Sequence, residues 1–232
     1  MLLWGIIKLS NNLTKLICII GIDGSGKTTL GKKLHSFLKK KKINAVYVYA
    51  RLKPFFAKPV IFIGNFFFVK DYNMKKDYIN YKKRKNQLFN KNSLLSRVYI
   101  LILLLDNFIQ LLIKIRIPLK QGKIVVCDRY IQDTIVTDLA VDMQLSIKQI
   151  IFLLDKSLNF LPKPALTLLV DVPVKVAYSR KTDVPDISYL HDRRNLYLDI
   201  AKKYNYTVLD GNKEIEDVFS DARERLNYVL NL

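Results

Sequence analysis

Residues 19–30 read IIGIDGSGKTTL. From Gly21 to Thr28 the spacing is G-x-x-x-x-G-K-T, a glycine loop that wraps a phosphate in backbone N–H groups when a strand precedes it and a helix follows. Both flanks are legible. LICII (16–20) is a short continuous apolar run, the pattern of a strand buried on both faces. TTLGKKLHSFLKK (28–40) sets Leu30, Leu34, Phe37 and Leu38 on one face of a helix. The helix N-terminus adds positive potential where the phosphate would sit. The competing reading is an ordinary strand-to-helix turn carrying a solvated lysine, which this context disfavours.

Working outward, strand-like runs alternate with helical patterns. AVYVY (45–49), KIVVC (123–127), LTLLV (166–170) and YTVL (206–209) are the further strands. A long apolar helix over 94–117 is expected to end at Pro118, another starts near Ser146, and a last one carries Ile215, Val218, Phe219, Ala222 and Leu226. Strands separated by helices give parallel βαβ units, an α/β sheet covered on both faces. Such sheets carry their sites at the carboxyl ends of the strands. Arg51 follows the second strand, Asp128 and Arg129 the third, and Asp171 the fourth.

The chain of 232 residues is half hydrophobic, which fits one domain spanning 1–232 with one core. Its formal net charge of +19 sits partly in KKKK (39–42) and KKRK (82–85). Charge of this kind attracts nucleic acid, anionic membrane or phosphorylated small molecules. No nucleic-acid motif accompanies it, so a solvated lysine-rich surface is the preferred reading and nucleic acid is not an expected partner. The two cysteines, Cys18 and Cys127, lie in strand-like runs and read as buried thiols in a reducing cytoplasm. The first fifteen residues lack the layout of a cleavable signal. VYILILLLDNFIQLLIKI (98–115) contains Asp106, Asn107, Gln110 and Lys114, so a buried helix is expected rather than a membrane span.

These residue types suit phosphoryl transfer, which needs a metal, cations around the moving group and two substrates held in line. The candidates for binding ATP are Gly21, Asp23, Gly24, Ser25, Gly26, Lys27, Thr28 and Thr29, with Lys27 on the β- and γ-phosphates. Thr28 and Asp128 are the candidate Mg²⁺ ligands. Arg51 and Arg129 can grip phosphate bidentately. In the charged stretch 178–197, Arg180, Lys181, Arg193 and Arg194 could close over the triphosphate as a lid over roughly 179–192, and Arg180 is favoured. Lys181, Arg193 and Arg194 stay open.

The chain resembles the thymidylate kinase family of P-loop nucleoside monophosphate kinases. The resemblance rests on GIDGSGKTTL, LLLDN with IPLKQGKIVVCDRY, KPALTLLVDVPVKVAYSRK and YLDIAKKYNYTVLDGNKEIEDV, which occur in family order and cover most of the chain from Leu16. It implies the P-loop NTPase fold with a five-stranded parallel sheet, ATP and Mg²⁺, γ-phosphoryl transfer to a monophosphate acceptor, dTMP first, a mobile lid and often a homodimer. Asp23 matches a family acid near acceptor and metal, and Arg129 the phosphate-binding arginine of the "DRY" pair. Arg51 matches the arginine that receives the acceptor's phosphate, although "REPG" reads RLKP here. LDGNKEIEDV resembles the loop that cups adenine. At the base-reading positions the family's "ADR" arginine is Asn107, and "AYQ" reads VTD, with Thr137 and Asp138. An acceptor other than dTMP, whether another nucleotide or a glycan- or lipid-linked molecule, is therefore the alternative, and a non-kinase nucleotide-binding protein is the third reading. The Phe- and Lys-rich insertion over roughly 54–92 reads first as a covering subdomain or dimer contact. Peripheral membrane contact is the sharper, less favoured reading.

Overall fold

Strand β1 (Leu16–Ile20) is followed by the glycine loop and helix α1 (Lys27–Lys40), then β2 (Ala45–Tyr49). Helix α2 (Ser93–Leu111) runs through a π-helical segment (Leu112–Arg116) into α3 (Ile117–Lys120). Strand β3 (Ile124–Asp128), α4 (Ile131–Asp133), a second π-helical segment (Thr134–Ala140) and α5 (Ile147–Phe160) come next. Strand β4 (Leu166–Asp171), α6 (Val174–Ser179), α7 (Ile187–Tyr204), β5 (Thr207–Asp210) and α8 (Ile215–Leu230) complete the order. The structure is a computed structural model that describes residues 15–55, 58, 79–80, 83, 86–87, 93–141, 143–181 and 184–232. The insertion expected over 54–92 therefore lies almost wholly outside the described residues, as do the N-terminal residues 1–14 and, within the lid stretch, Thr182 and Asp183.

The strands form one five-stranded parallel sheet in the order β2-β3-β1-β4-β5. Side chains alternate across a strand, so β1 feeds two cores. Ile17 and Ile19 join Leu30, Leu34 and Leu38 of α1 and Val218, Ala222 and Leu226 of α8. Leu16, Cys18 and Ile20 join Leu103 and Leu111 of α2, Ile150 and Leu154 of α5, and Tyr197 and Ile200 of α7. Helices cover both faces, which is the α/β architecture read from the sequence. Asp128 and Asp171 are the last residues of their strands rather than the residues after them.

Two expectations for the long helix are corrected. Pro118 does not end it. The π-helical segment shifts the hydrogen-bond register just ahead of Pro118, and a residue without an N–H is tolerated there. Nor is the apolar surface mostly buried: in the span Arg97–Lys120, long and apolar enough by length and composition to cross a membrane, only 28% of the apolar window is buried. The faces are inverted. Asp106 and Asn107 are buried, while Leu101, Leu105, Ile109, Ile113 and Ile117 are exposed.

Candidate active site

The glycine loop is shaped by its neighbours. Gly24 has φ 83°, and a Cβ there would stand 2.2 Å from the Ala177 carbonyl oxygen of α6, so no side chain fits. Gly26 caps α1 in the left-handed region, with no side-chain cap and no acid in the first turn. The first N–H groups of α1 are thus left for an anion. Ser25 Oγ is buried without a partner among the described residues.

Lys27 is buried, donating from Nζ to the Ile22 carbonyl at 2.7 Å, with Asp23 Oδ1 at 3.9 Å. Burial, with Arg129 close by, pulls its ammonium down to about 8. Phosphate binds the charged form. ADP affinity measured in EDTA should therefore weaken as pH rises above that value, by up to about tenfold per pH unit, with binding there taking up a proton. Calorimetry in two buffers of different ionisation enthalpy checks this. A pH-independent affinity would refute it.

Asp23 stands at the centre of a cation cluster. Its Oδ1 accepts from Arg129 Nη2 and lies 3.4 Å from Lys181 Nζ. Burial alone would raise the Asp23 pKa, but Arg129, Lys27, Lys181 and Arg51 together hold it well below the usual carboxylate range. Arg129 follows β3 with φ 73°, a conformation that costs a non-glycine residue about 1 kcal/mol. Its Nη1 lies 3.4 Å from Asp133 Oδ1, which also accepts from Tyr197 Oη at 2.8 Å, while Asp133 Oδ2 accepts from the Tyr130 N–H. Asp133 was missed in the sequence. Its only signal there is the four-residue spacing from Arg129.

Arg51, after β2, is half-buried. Burial and Arg129 oppose its charge, and Asp23, Asp138 and Tyr189 restore it, so it belongs to the same cluster. Thr137 is buried, its Oγ1 3.3 Å from Tyr197 Oη and its carbonyl accepting from Arg193 Nη2 at 2.8 Å. The two arginines left open are thereby distinguished. Arg193 is buried over the Tyr189 ring, with its guanidinium carbon 3.6 Å from the ring centroid. Arg194 faces the other way and grips Asp171 bidentately at 2.7 and 2.8 Å.

Arg180 is turned toward the stretch after β5. Its Nη1 donates to the Gly211 carbonyl at 2.9 Å, and with Ser25, Gly26, Thr29, Asn212 and Glu214 it lines a cavity of about 300 Å³ formed by the stretch read as the adenine cup. Helix α6 ends at Ser179, and the next two side chains diverge. Lys181, not Arg180, is the one whose ammonium approaches Asp23.

At the end of β3, Asp128 is fully buried. Its Oδ2 accepts from Thr28 Oγ1 at 2.6 Å and from Tyr47 Oη at 2.7 Å, and its Oδ1 has no partner among the described residues. An orphaned carboxylate oxygen beside a threonine hydroxyl fits a hard divalent cation. Among the described residues no group of three or more His, Cys, Asp or Glu side chains could hold a metal. A cation here would complete its shell with phosphate oxygens and water, the habit of Mg²⁺. Asn107 is buried in α2, and neither its amide oxygen nor its nitrogen has a partner among the described residues.

The family model described as thymidylate kinase matches residues 78–222. "Probable thymidylate kinase 1" of Saccharolobus solfataricus is 29% identical over 216 residues, covering 90% of this chain and 95% of that protein. "Probable thymidylate kinase" of Staphylothermus marinus is 25% identical over 227 residues, covering 93% and 96%. "Thymidylate kinase" of a Geobacillus species is 26% identical over 217 residues, covering 86% and 90%. The glycine loop, the Asp128–Arg129 pair and the cup beyond β5 lie on one sheet edge, and with a family model spanning more than half its length this chain belongs to the thymidylate kinase family.

Proposed function

We propose that the chain is a nucleoside monophosphate kinase that transfers the γ-phosphoryl group of ATP to dTMP, giving ADP and dTDP. The observation that carries this reading is the cluster around Asp23, where Lys27 of the donor loop, Lys181 of the lid and Arg129 of the acceptor side meet one carboxylate. That carboxylate holds the three cations together until phosphates replace it. Lys27 and the loop N–H groups bind the β- and γ-phosphates, Arg129 and Arg51 the acceptor's phosphate, and Lys181 balances charge on the moving group. The chain supplies position and fixed charge rather than a covalent intermediate. Thr28 and Asp128 would hold Mg²⁺, which when bound neutralises the β- and γ-oxygens. The adenine lies in the cup lined by Arg180 and Gly211. Chromatographic detection of ADP and dTDP in equal amounts, lost in EDTA, tests the reading. ADP formed without dTDP would sink it.

The amide of Asn107, unpartnered among the described residues, supports an acceptor base that sets an N–H donor beside a C=O acceptor, as thymine does. Its C=O can take N3–H and its NH₂ can give to O4, the edge thymine shares with uracil. Asn107→Ala is expected to lower kcat/KM for dTMP by about 10–100-fold, the loss of one or two buried hydrogen bonds. An unchanged value in steady-state kinetics would remove Asn107 from base reading. Thr137 bonds to Tyr197, and Asp138 takes part in the field around Arg51, so both act on the acceptor through those neighbours.

A homodimer is part of the same proposal. The outer stripe of α2 and the π-helical segment that follows it, with Leu101 and Ile113 each 57% exposed and Leu105 51%, suits a second copy of the same long helix. Sedimentation should show wild type as a dimer and Leu101→Glu with Leu105→Glu as a monomer. A monomeric wild type that floats with liposomes would assign the stripe to membrane instead. A reducing cytoplasmic location is also proposed, supported by Cys18 and Cys127, which face each other across β1 and β3 as free thiols.

A further inference from the structure

Asp128 is held asymmetrically, and one of its two holders comes from outside the phosphate loop. Thr28 belongs to that loop. Tyr47 belongs to β2, where the register pairs it with Val126, making Asp128 its diagonal neighbour on the same face of the sheet. The neighbouring helix leaves room for this reach. Gly31 sits inside α1, where glycine costs about 1 kcal/mol relative to alanine. A Cβ there would stand 3.0 Å from Tyr47 Cε2 and 3.2 Å from Ile19 Cδ1. A bare helix position therefore lies where the tyrosine ring passes.

The consequence concerns the carboxylate. An oxygen that accepts from two hydroxyls has little left to offer a cation, whereas Oδ1, without a partner among the described residues, keeps its lone pairs. We propose that Tyr47 is a positioning residue for the divalent cation: it fixes Asp128 by Oδ2, so that Oδ1 is the oxygen offered to the metal or its waters. This rests on the kinase reading above. In this role Tyr47 need touch neither phosphate nor metal. It acts as the outer partners of metal ligands do, by orienting a ligand whose rotation would weaken the site.

The test is Mn²⁺ binding in the presence of ADP, followed by electron paramagnetic resonance without turnover. Tyr47→Phe removes only the hydroxyl and is expected to raise the Mn²⁺ dissociation constant by about tenfold, with ADP affinity in EDTA unchanged. Gly31→Ala keeps the hydroxyl but displaces the ring, and is expected to shift Mn²⁺ binding the same way. It carries the test if Tyr47→Phe does not fold. Wild-type Mn²⁺ affinity in Tyr47→Phe, or an equal loss of ADP binding with and without metal, overturns the inference and leaves the kinase reading standing. A wild-type protein whose ADP binding is indifferent to Mn²⁺ overturns the metal site and the inference together.

Discussion

Replacing Lys27 by alanine should lower kcat by about 10³-fold while the protein stays folded. The loss corresponds to about 4 kcal/mol of transition-state stabilisation, reasonable for a preorganised cation aimed at the β- and γ-oxygens from a buried site. Retention of the fold follows from the electrostatics. Burial pulls the Lys27 ammonium down to about 8, so the unliganded loop holds this charge at a disadvantage of about 3 kcal/mol relative to water. Removing it leaves Asp23 paired with Arg129 and Lys181. Single-turnover kinetics with thermal melting separate the two effects. A rate within tenfold of wild type would contradict the role assigned to Lys27, and a collapse of the melting transition would make it a structural residue.

Arg129→Ala should behave in the opposite way and lose stability as well as activity. Its guanidinium stands between two buried carboxylates, Asp23 and Asp133. Removing one partner of a buried ion pair costs about 3–5 kcal/mol, because the other charge is left uncompensated. The loss should depend on pH. Burial raises the Asp133 pKa, and Arg129 and Lys27 oppose that rise, so deleting Arg129 raises it further. A carboxyl with a raised folded pKa binds more protons folded than unfolded, and its contribution to stability is lost as pH rises through that pKa. The variant should therefore be closer to wild type near pH 5 than near pH 8. Urea melts at both pH values check this. A loss below about 1 kcal/mol at both would show that water reaches the carboxylates.

What was legible in the sequence was whatever repeats locally. The run before Gly21, the helical spacing after Lys27 and the apolar strands ending at Asp128 and Asp171 each carry their signal within a few residues, and those fix the sheet and the edge. The less legible features depend on partners distant in sequence. Arg180 and Lys181 are adjacent and chemically alike, and only the end of α6 at Ser179 separates the one at Gly211 from the one at Asp23. Asp133 looks like any acid until Tyr197, far along the chain, is folded against it. Tyr47 reads as one aromatic in an alternating strand until Gly31 and Asp128 are brought beside it. The long helix misled for a related reason. Asp106 and Asn107 spoke for a buried helix rather than a membrane span, yet the fold turns these polar side chains inward and leaves Leu101, Leu105, Ile109 and Ile113 outside. Pro118 reads as a helix end because a shift to π-helical bonding has no local sequence signal.

The measurement that bears most directly on the central claim is the initial rate of ADP formation with Mg-ATP across dTMP, dUMP, UMP, CMP, AMP and GMP, against a control without acceptor. dTMP is expected to give the highest kcat/KM, by about 10²-fold over AMP and CMP, which present the wrong edge to Asn107. A rate no higher with any of the six than without acceptor, or a preference for AMP or GMP, would contradict the assignment of this site to thymidylate.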